Sequence, residues 1–129
     1  MTRYKFSIDD GALLVLDSSD GHKAWQGKPL EIAVESVLPI PSSDDCLVLL
    51  NWREAQKKST RNLLRFSPDG IIKWKVNTPT KTLKGLDRIN DVYTSIKVEN
   101  KAIEANSFWS FLDYIDIDTG EILDTIFLK

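Results

Sequence analysis

One cysteine and one histidine, Cys46 and His22, stand among the 129 residues. A thiol and an imidazole held within hydrogen-bond reach make a nucleophile and its base. Here the surroundings argue against it. Cys46 opens the apolar run Cys46–Leu50, where a cysteine behaves as a small hydrophobe. His22 follows a turn glycine, Gly21, and is expected to be solvated. A single Cys and a single His make neither a Cys/His zinc set nor an intramolecular disulfide. The stretch Asp116-x-Asp118-x-Gly120-Glu121 is only superficially a calcium loop, because an EF-hand carries its glycine one position later, so it is read as a turn. Nineteen acids allow many carboxylate pairs, but no spacing singles out one for glycoside hydrolysis. The sequence has neither a glycine-rich phosphate loop nor a G-x-S-x-G elbow. The expectation is a protein that is not an enzyme, with no catalytic residue, no metal site and no cofactor.

Binding chemistry is better represented. The net charge of −2 hides three blocks: residues 29–52 carry −4, residues 53–88 carry +7 and residues 89–129 carry −5. Asp44, Asp45, Asp116, Asp118 and Glu121 are candidates for an acidic surface that steers a cationic protein partner. Trp109, between Phe108 and Phe111, is the candidate aromatic anchor. These six residues form the expected partner-binding set. The alternative is a nucleic-acid-binding loop of Arg53, Lys57, Lys58 and Arg61, with Trp52 to stack on bases. Asp113 shares the parity of Ile115 and Ile117 while Asp116 falls opposite, which suggests an edge or a bulge.

Strands must position these groups. Tyr4–Ile8, Ile71–Val76 and Tyr114–Asp118 alternate apolar and polar residues, and Cys46–Leu50 reads as a strand buried on both faces. Ten strands are predicted: 3–8, 11–17, 30–38, 45–52, 62–67, 71–77, 91–98, 101–107, 110–117 and 121–128. Arg53–Lys58 has helix-forming residues but no apolar stripe, and Thr82–Asn90 has the spacing for one helical turn. The reading is all-β, in one domain with units 1–28, 29–77 and 78–129. Its turns repeat. Gly21, Gly70 and Gly120 follow Asp- or Ser-rich corners at spacings of 49 and 50 residues, and Trp25 and Trp74 each come four residues after their glycine. Glycine supplies the positive φ of a tight reversal. A period near 50 with four strands per unit is the mark of a propeller blade.

The segment AIEANSFWSFLDYIDIDTGEIL, residues 102–123, resembles a blade of the quinoprotein (PQQ-like) or WD-type propeller families. Leu47–Trp74, ending LLRFSPDGIIKW, resembles the same unit with an insertion, and Tyr4–Trp25 its last strands. The resemblance implies blade-like antiparallel meanders, in all about two and a half, too few to close a ring of four to eight. It therefore implies an incomplete propeller or a sandwich, or a ring finished by another chain. More weakly, the compact all-β chain with charge blocks resembles bacterial toxin-immunity proteins, which implies a module that covers the active site of a basic toxin domain. The N-terminus has no apolar leader, and the longest apolar run is five residues where a spanning helix needs about 20. A cytoplasmic protein without a membrane partner is expected. The oligomeric state is left open.

Overall fold

A computed structural model of the chain describes residues 3–76, 88 and 90–128. Within them, eleven strands form three antiparallel sheets, each a meander in chain order. The first sheet holds β1 (Tyr4–Asp9), β2 (Ala12–Asp17) and β3 (Lys23–Gly27). The second holds β4 (Val34–Pro39), β5 (Cys46–Leu50), β6 (Leu63–Phe66) and β7 (Ile72–Lys75). The third holds β8 (Tyr93–Glu99), β9 (Ala102–Ser107), β10 (Phe111–Asp116) and β11 (Ile122–Phe127). The all-β expectation holds. It missed β3, and its strand over 30–38 begins as a 3₁₀ turn, Pro29–Glu31. The helical turn expected at Thr82–Asn90 lies largely outside the described residues.

One short helix, α1 (Trp52–Lys57), replaces the expected basic loop. It needs no apolar stripe because its ends are tied down. The Asn51 side chain accepts from the N–H groups of Arg53 and Glu54, both at 3.1 Å, and Ala55 is buried beneath.

The three glycine corners are equivalent. Gly21, Gly70 and Gly120 have φ of 75°, 91° and 77°, and each closes the last hairpin of its sheet. Their N–H groups donate to the carbonyls of Asp17, Ser67 and Asp116. Beside each corner the ladder slips by a bulge, after Val15, Arg65 and Tyr114. Across the hairpin these residues pair with Trp25, Trp74 and Asp124. The third unit therefore carries an aspartate where the first two carry tryptophan.

The sheets stack through two cores. Leu13 and Val15 meet Cys46, Val48, Leu50, Leu64 and Phe66 in the first. Leu47, Leu49 and Leu63 meet Tyr93, Ile103, Ala105 and Ile115 in the second. Alternate residues of β5 serve both cores, which is why all five are buried and the run is apolar throughout. Trp25 and Trp74 each reach onto the next sheet's glycine. A Cβ on Gly70 would overlap the Trp25 indole, and one on Gly120 would overlap that of Trp74. Trp25 also meets Phe66 edge-on at 4.8 Å, and Trp74 Nε1 donates to the carbonyl of Ile117 at 3.0 Å.

Candidate functional site

Part of the second seam is ionic. Asp113 points inward from β10 and is fully buried. Arg88 Nη1 donates to both its oxygens at 2.8 Å, the Tyr93 hydroxyl donates at 2.6 Å and the Thr125 hydroxyl at 2.8 Å. Arg61 Nη1 stands 3.6 Å from the same carboxylate, with its guanidinium over the Tyr93 ring. Arg88 Nε donates to Asp91 at 2.9 Å. Burial alone would lower the pKa of Arg88, but Asp113 and Asp91 outweigh it and the net shift is upward. Burial pushes the Tyr93 phenol up. The cluster is thus a fixed set of charges that holds parts in place.

What it holds is the turn between β9 and β10. Asp91 accepts from the N–H groups of Val92 (3.0 Å) and Trp109 (3.1 Å). The Phe108 N–H donates to the Val92 carbonyl, and the Ser107 hydroxyl accepts from Phe111 N–H. Asn62, immediately before β6, ties the second sheet to the third: its Nδ2 donates to the carbonyls of Leu50 and Tyr93, and its Oδ1 accepts from Tyr93 N–H. The turn therefore presents its side chains on a rigid base.

Those side chains are aromatic and exposed. Phe108 is 51% exposed, Trp109 48%, Phe127 47% and Leu128 53%. Phe108 stacks on Trp52 of α1 at 5.0 Å and 27°, and the Arg53 guanidinium lies 5.0 Å from the Trp52 ring. Phe127 leans on the buried Phe111 at 5.0 Å. Phe108, Trp109, Ser110 and Phe127 line an open cleft of about 340 Å³. Its walls offer apolar area and ring faces, the features of an anchor pocket.

The expected acidic surface is arranged differently. Asp44 and Glu121 are exposed. Asp45 is buried and receives Arg65 Nε at 2.9 Å, while the exposed Asp118 lies 3.4 Å from Arg65 Nη1. Asp116 caps its own turn, accepting from the N–H groups of Asp118 and Thr119. Arg65 thus neutralises part of the acidic edge. Trp109 is not beside Asp116, Asp118 and Glu121: it precedes β10 and they stand at or beyond its far end, about 17 Å along the strand at roughly 3.3 Å per residue. Arg53, Lys57 and Lys58 are exposed on or beside α1, and Lys58 Nζ reaches the Glu31 carbonyl at 3.3 Å. Arg61 does not join them on the surface, because it is fully buried in the ionic cluster. The structure instead brings Trp52 and Arg53 of the basic set next to Phe108 and Trp109. Phe127 and the Asp113 cluster were missed by sequence reasoning, although Asp113 on the parity of Ile115 was a signal.

Cys46 lies in the first core, where burial raises its thiol pKa to about 12, and His22 is exposed with its ring 3.0 Å from Asp20. Among the described residues, no three His, Cys, Asp or Glu side chains converge on a metal position.

Residues 29–127, spanning the second and third sheets, match the family model described as a domain of unknown function, DUF7957. The chain belongs to this family. No curated protein matches the sequence. Solved structures do. BamB from Moraxella catarrhalis, a β-propeller of PQQ-like fold, superposes with a TM-score of 0.59 at 12% identity, covering 94% of this chain and 31% of BamB. The computationally designed Ika8 protein gives 0.57 at 14% identity, covering 98% of this chain and 34% of its own length. The designed Ika4 protein gives 0.61 at 15% identity, covering 98% of this chain and 68% of its own. The chain thus spans about a third of BamB and Ika8. The likeness extends to the fold, an array of propeller-like blades.

Proposed function

We propose that the chain is a non-enzymatic protein-binding module whose partner docks on the Phe108–Trp109–Phe127 cleft. The supporting observation is the cleft itself: three half-exposed aromatic rings meet around it, Phe108 and Trp109 from a turn fixed from below by Asp91 and Phe127 from the end of β11. Exposed aromatic clusters of this kind are characteristic of binding surfaces. The cations Arg53 and Lys57 lie on the flanking helix, so the fitting segment is an apolar side chain with a carboxylate beside it.

A finer version makes the chain a bacterial, cytoplasmic immunity or antitoxin-type protein that neutralises a toxin by covering its active site. Its support is the exposed edge of Asp44, Asp118 and Glu121, which would meet a basic toxin domain. Nucleic-acid binding has less support, because Arg61 is buried and Lys58 is engaged by Glu31. Such binding would weaken steeply with salt.

The test is capture from native lysate with the unaltered chain, Trp109→Ser/Phe127→Ser and Asp118→Lys/Glu121→Lys. A protein held by the first and third but lost from the second is the expected result, with at least tenfold weaker binding when titrated. Retention by the aromatic variant overturns the cleft. A protein lost only from the acidic-edge variant would favour the finer version, as would relief of toxicity on co-expression with a toxin encoded next to this gene.

A further inference from the structure

We propose that two copies of the chain stack head to tail, the outer face of the third sheet of one on the outer face of the first sheet of the other, and so close a ring. Both seams inside the chain follow one rule: the tryptophan side of a sheet covers the glycine side of the next. Applying the rule leaves two faces over.

Among the described residues, no sheet covers the glycine side of the first sheet. Gly21, Leu14 and Leu16 hold the positions that Gly70, Leu64 and Phe66 hold in the second sheet. There, Trp25 covers Gly70 and Phe66, whereas a Cβ on Gly21 would meet no described atom within 4 Å. Leu14 and Leu16 are only half buried. Lys5 and Ser7 pair with them across β1, where the second sheet has Cys46 and Val48. Lys23 pairs with Leu16 from β3, and its Nζ donates to Gln26 Oε1 on the same face. Among the residues named on this side, the acid is Asp9, which pairs with Ala12.

Among the described residues, no sheet covers the equivalent of the tryptophan side on the third sheet, where Asp124 stands at the tryptophan position. Asp124 pairs with Tyr114, which also pairs with Glu104; Glu104 in turn pairs with Lys97. Leu112 and Ile126 pair beside them, and Glu99 and Asp116 flank Ala102. A depression of about 310 Å³ lies between Glu99, Ala102, Glu104 and Tyr114. This face is acidic, with Lys97 its only cation among the residues named, while the free glycine side carries Lys5 and Lys23.

The exchanges match. The internal seams place an indole over the glycine, in the same core cluster as the residue at the position of Ile72. The same docking places Asp124 over Gly21 and beside Lys23, which occupies the Ile72 position. Lys5 then faces the strands that carry Glu104 and Glu99, and Leu14 and Leu16 face Tyr114 and Leu112. An apolar seam has become a charged one on both sides at once. Two copies of three sheets make six, within the usual range of closed propellers. Head-to-tail contacts that close after a half-turn give a ring instead of a filament. The Trp109 cleft lies at a sheet end and stays outside the junctions.

Light scattering and sedimentation of the full chain test this. The expected mass is twice 14.7 kDa. Lys5→Glu/Lys23→Glu makes both end faces acidic, and Glu104→Lys/Asp124→Lys makes both basic. Each variant alone should run as a monomer, and an equimolar mixture should recover the double mass, because both junctions are again complementary. A monomeric unaltered chain at every concentration overturns the proposal, as does any larger mass, a variant that stays dimeric, or a mixture that stays monomeric. If a variant does not fold, the unaltered chain across a salt series decides: dissociation as salt rises supports the ring, and indifference to salt overturns it. Partner capture through Trp109 reads independently of these results.

Discussion

The two seams solve one packing problem with different materials. Between the first and second sheets the contact is apolar, with Trp25 over Gly70 and against Phe66. Between the second and third sheets the Trp74–Gly120 contact recurs, but the carboxylate of Asp113 enters at the repeat position of Leu64. Arg61 and Arg88 gather round it. An apolar seam tolerates repacking. An ionic one is costly to assemble and costlier to leave half made, so it specifies one arrangement more than it adds stability. That specificity is placed under the turn that carries Trp109.

The largest effect should come from breaking the ionic seam. Asp113→Ala strips Arg88 of its bidentate partner and leaves buried cationic charge, at a cost of about 3–5 kcal/mol. Denaturant unfolding reads this directly. It should also loosen the Trp109 turn, seen as faster amide exchange at Trp109. A loss below about 1 kcal/mol, with unchanged exchange, would make the two seams energetically alike.

The glycines give the next contrast. All three have positive φ, so alanine costs about 1–2 kcal/mol at any of them. At Gly70 and Gly120 the new methyl also has to displace an indole, which brings the total to about 3 kcal/mol or more. Gly21→Ala should show the backbone cost alone, and in the proposed ring Asp124, far smaller than an indole, leaves room there too. Equal losses at the three positions would mean that the indoles do not depend on the sockets.

The architecture was legible because it rests on local chemistry repeated at a fixed interval. Gly21, Gly70 and Gly120 with Trp25 and Trp74 displayed the corners, and the apolar run at Cys46–Leu50 displayed the central strand. β3 escaped because Lys23-Ala24-Trp25-Gln26-Gly27 is mostly exposed and has no clear alternation. Helix α1 escaped because its cap, the Asn51 side chain accepting from the N–H groups of Arg53 and Glu54, outweighs its missing stripe. The site was half legible. Trp109 was found from its aromatic neighbours, but charge along the chain does not say which charges meet. Arg61 and Arg88 counted toward a basic block that the fold buries, and Arg65 takes the buried Asp45 out of an open acidic edge while lying against the still exposed Asp118. Only Asp113, a carboxylate at core parity, betrayed the cluster.

The smallest effect separates the corners themselves. In the first, Asp17 accepts from the hydroxyl and the N–H of Ser19 and from Arg3. In the second, the Ser67 hydroxyl donates to Asp69, and in the third Asp116 accepts from backbone N–H groups alone among the described residues. The Ser19 hydroxyl and N–H, more than the Arg3 ion pair, hold the Asp17 carboxyl at about 2, below its ordinary 3.8. A depressed acid stabilises the fold fully above its ordinary value and loses that contribution as pH falls through the depressed one, so this hairpin weakens between pH 3.8 and about 2. Carbon-detected titration should find Ser19→Ala moving the Asp17 midpoint upward by more than Arg3→Gln does. The opposite order would make the exposed ion pair the main fastener of this corner and separate it in kind from the third, which is built on backbone donors.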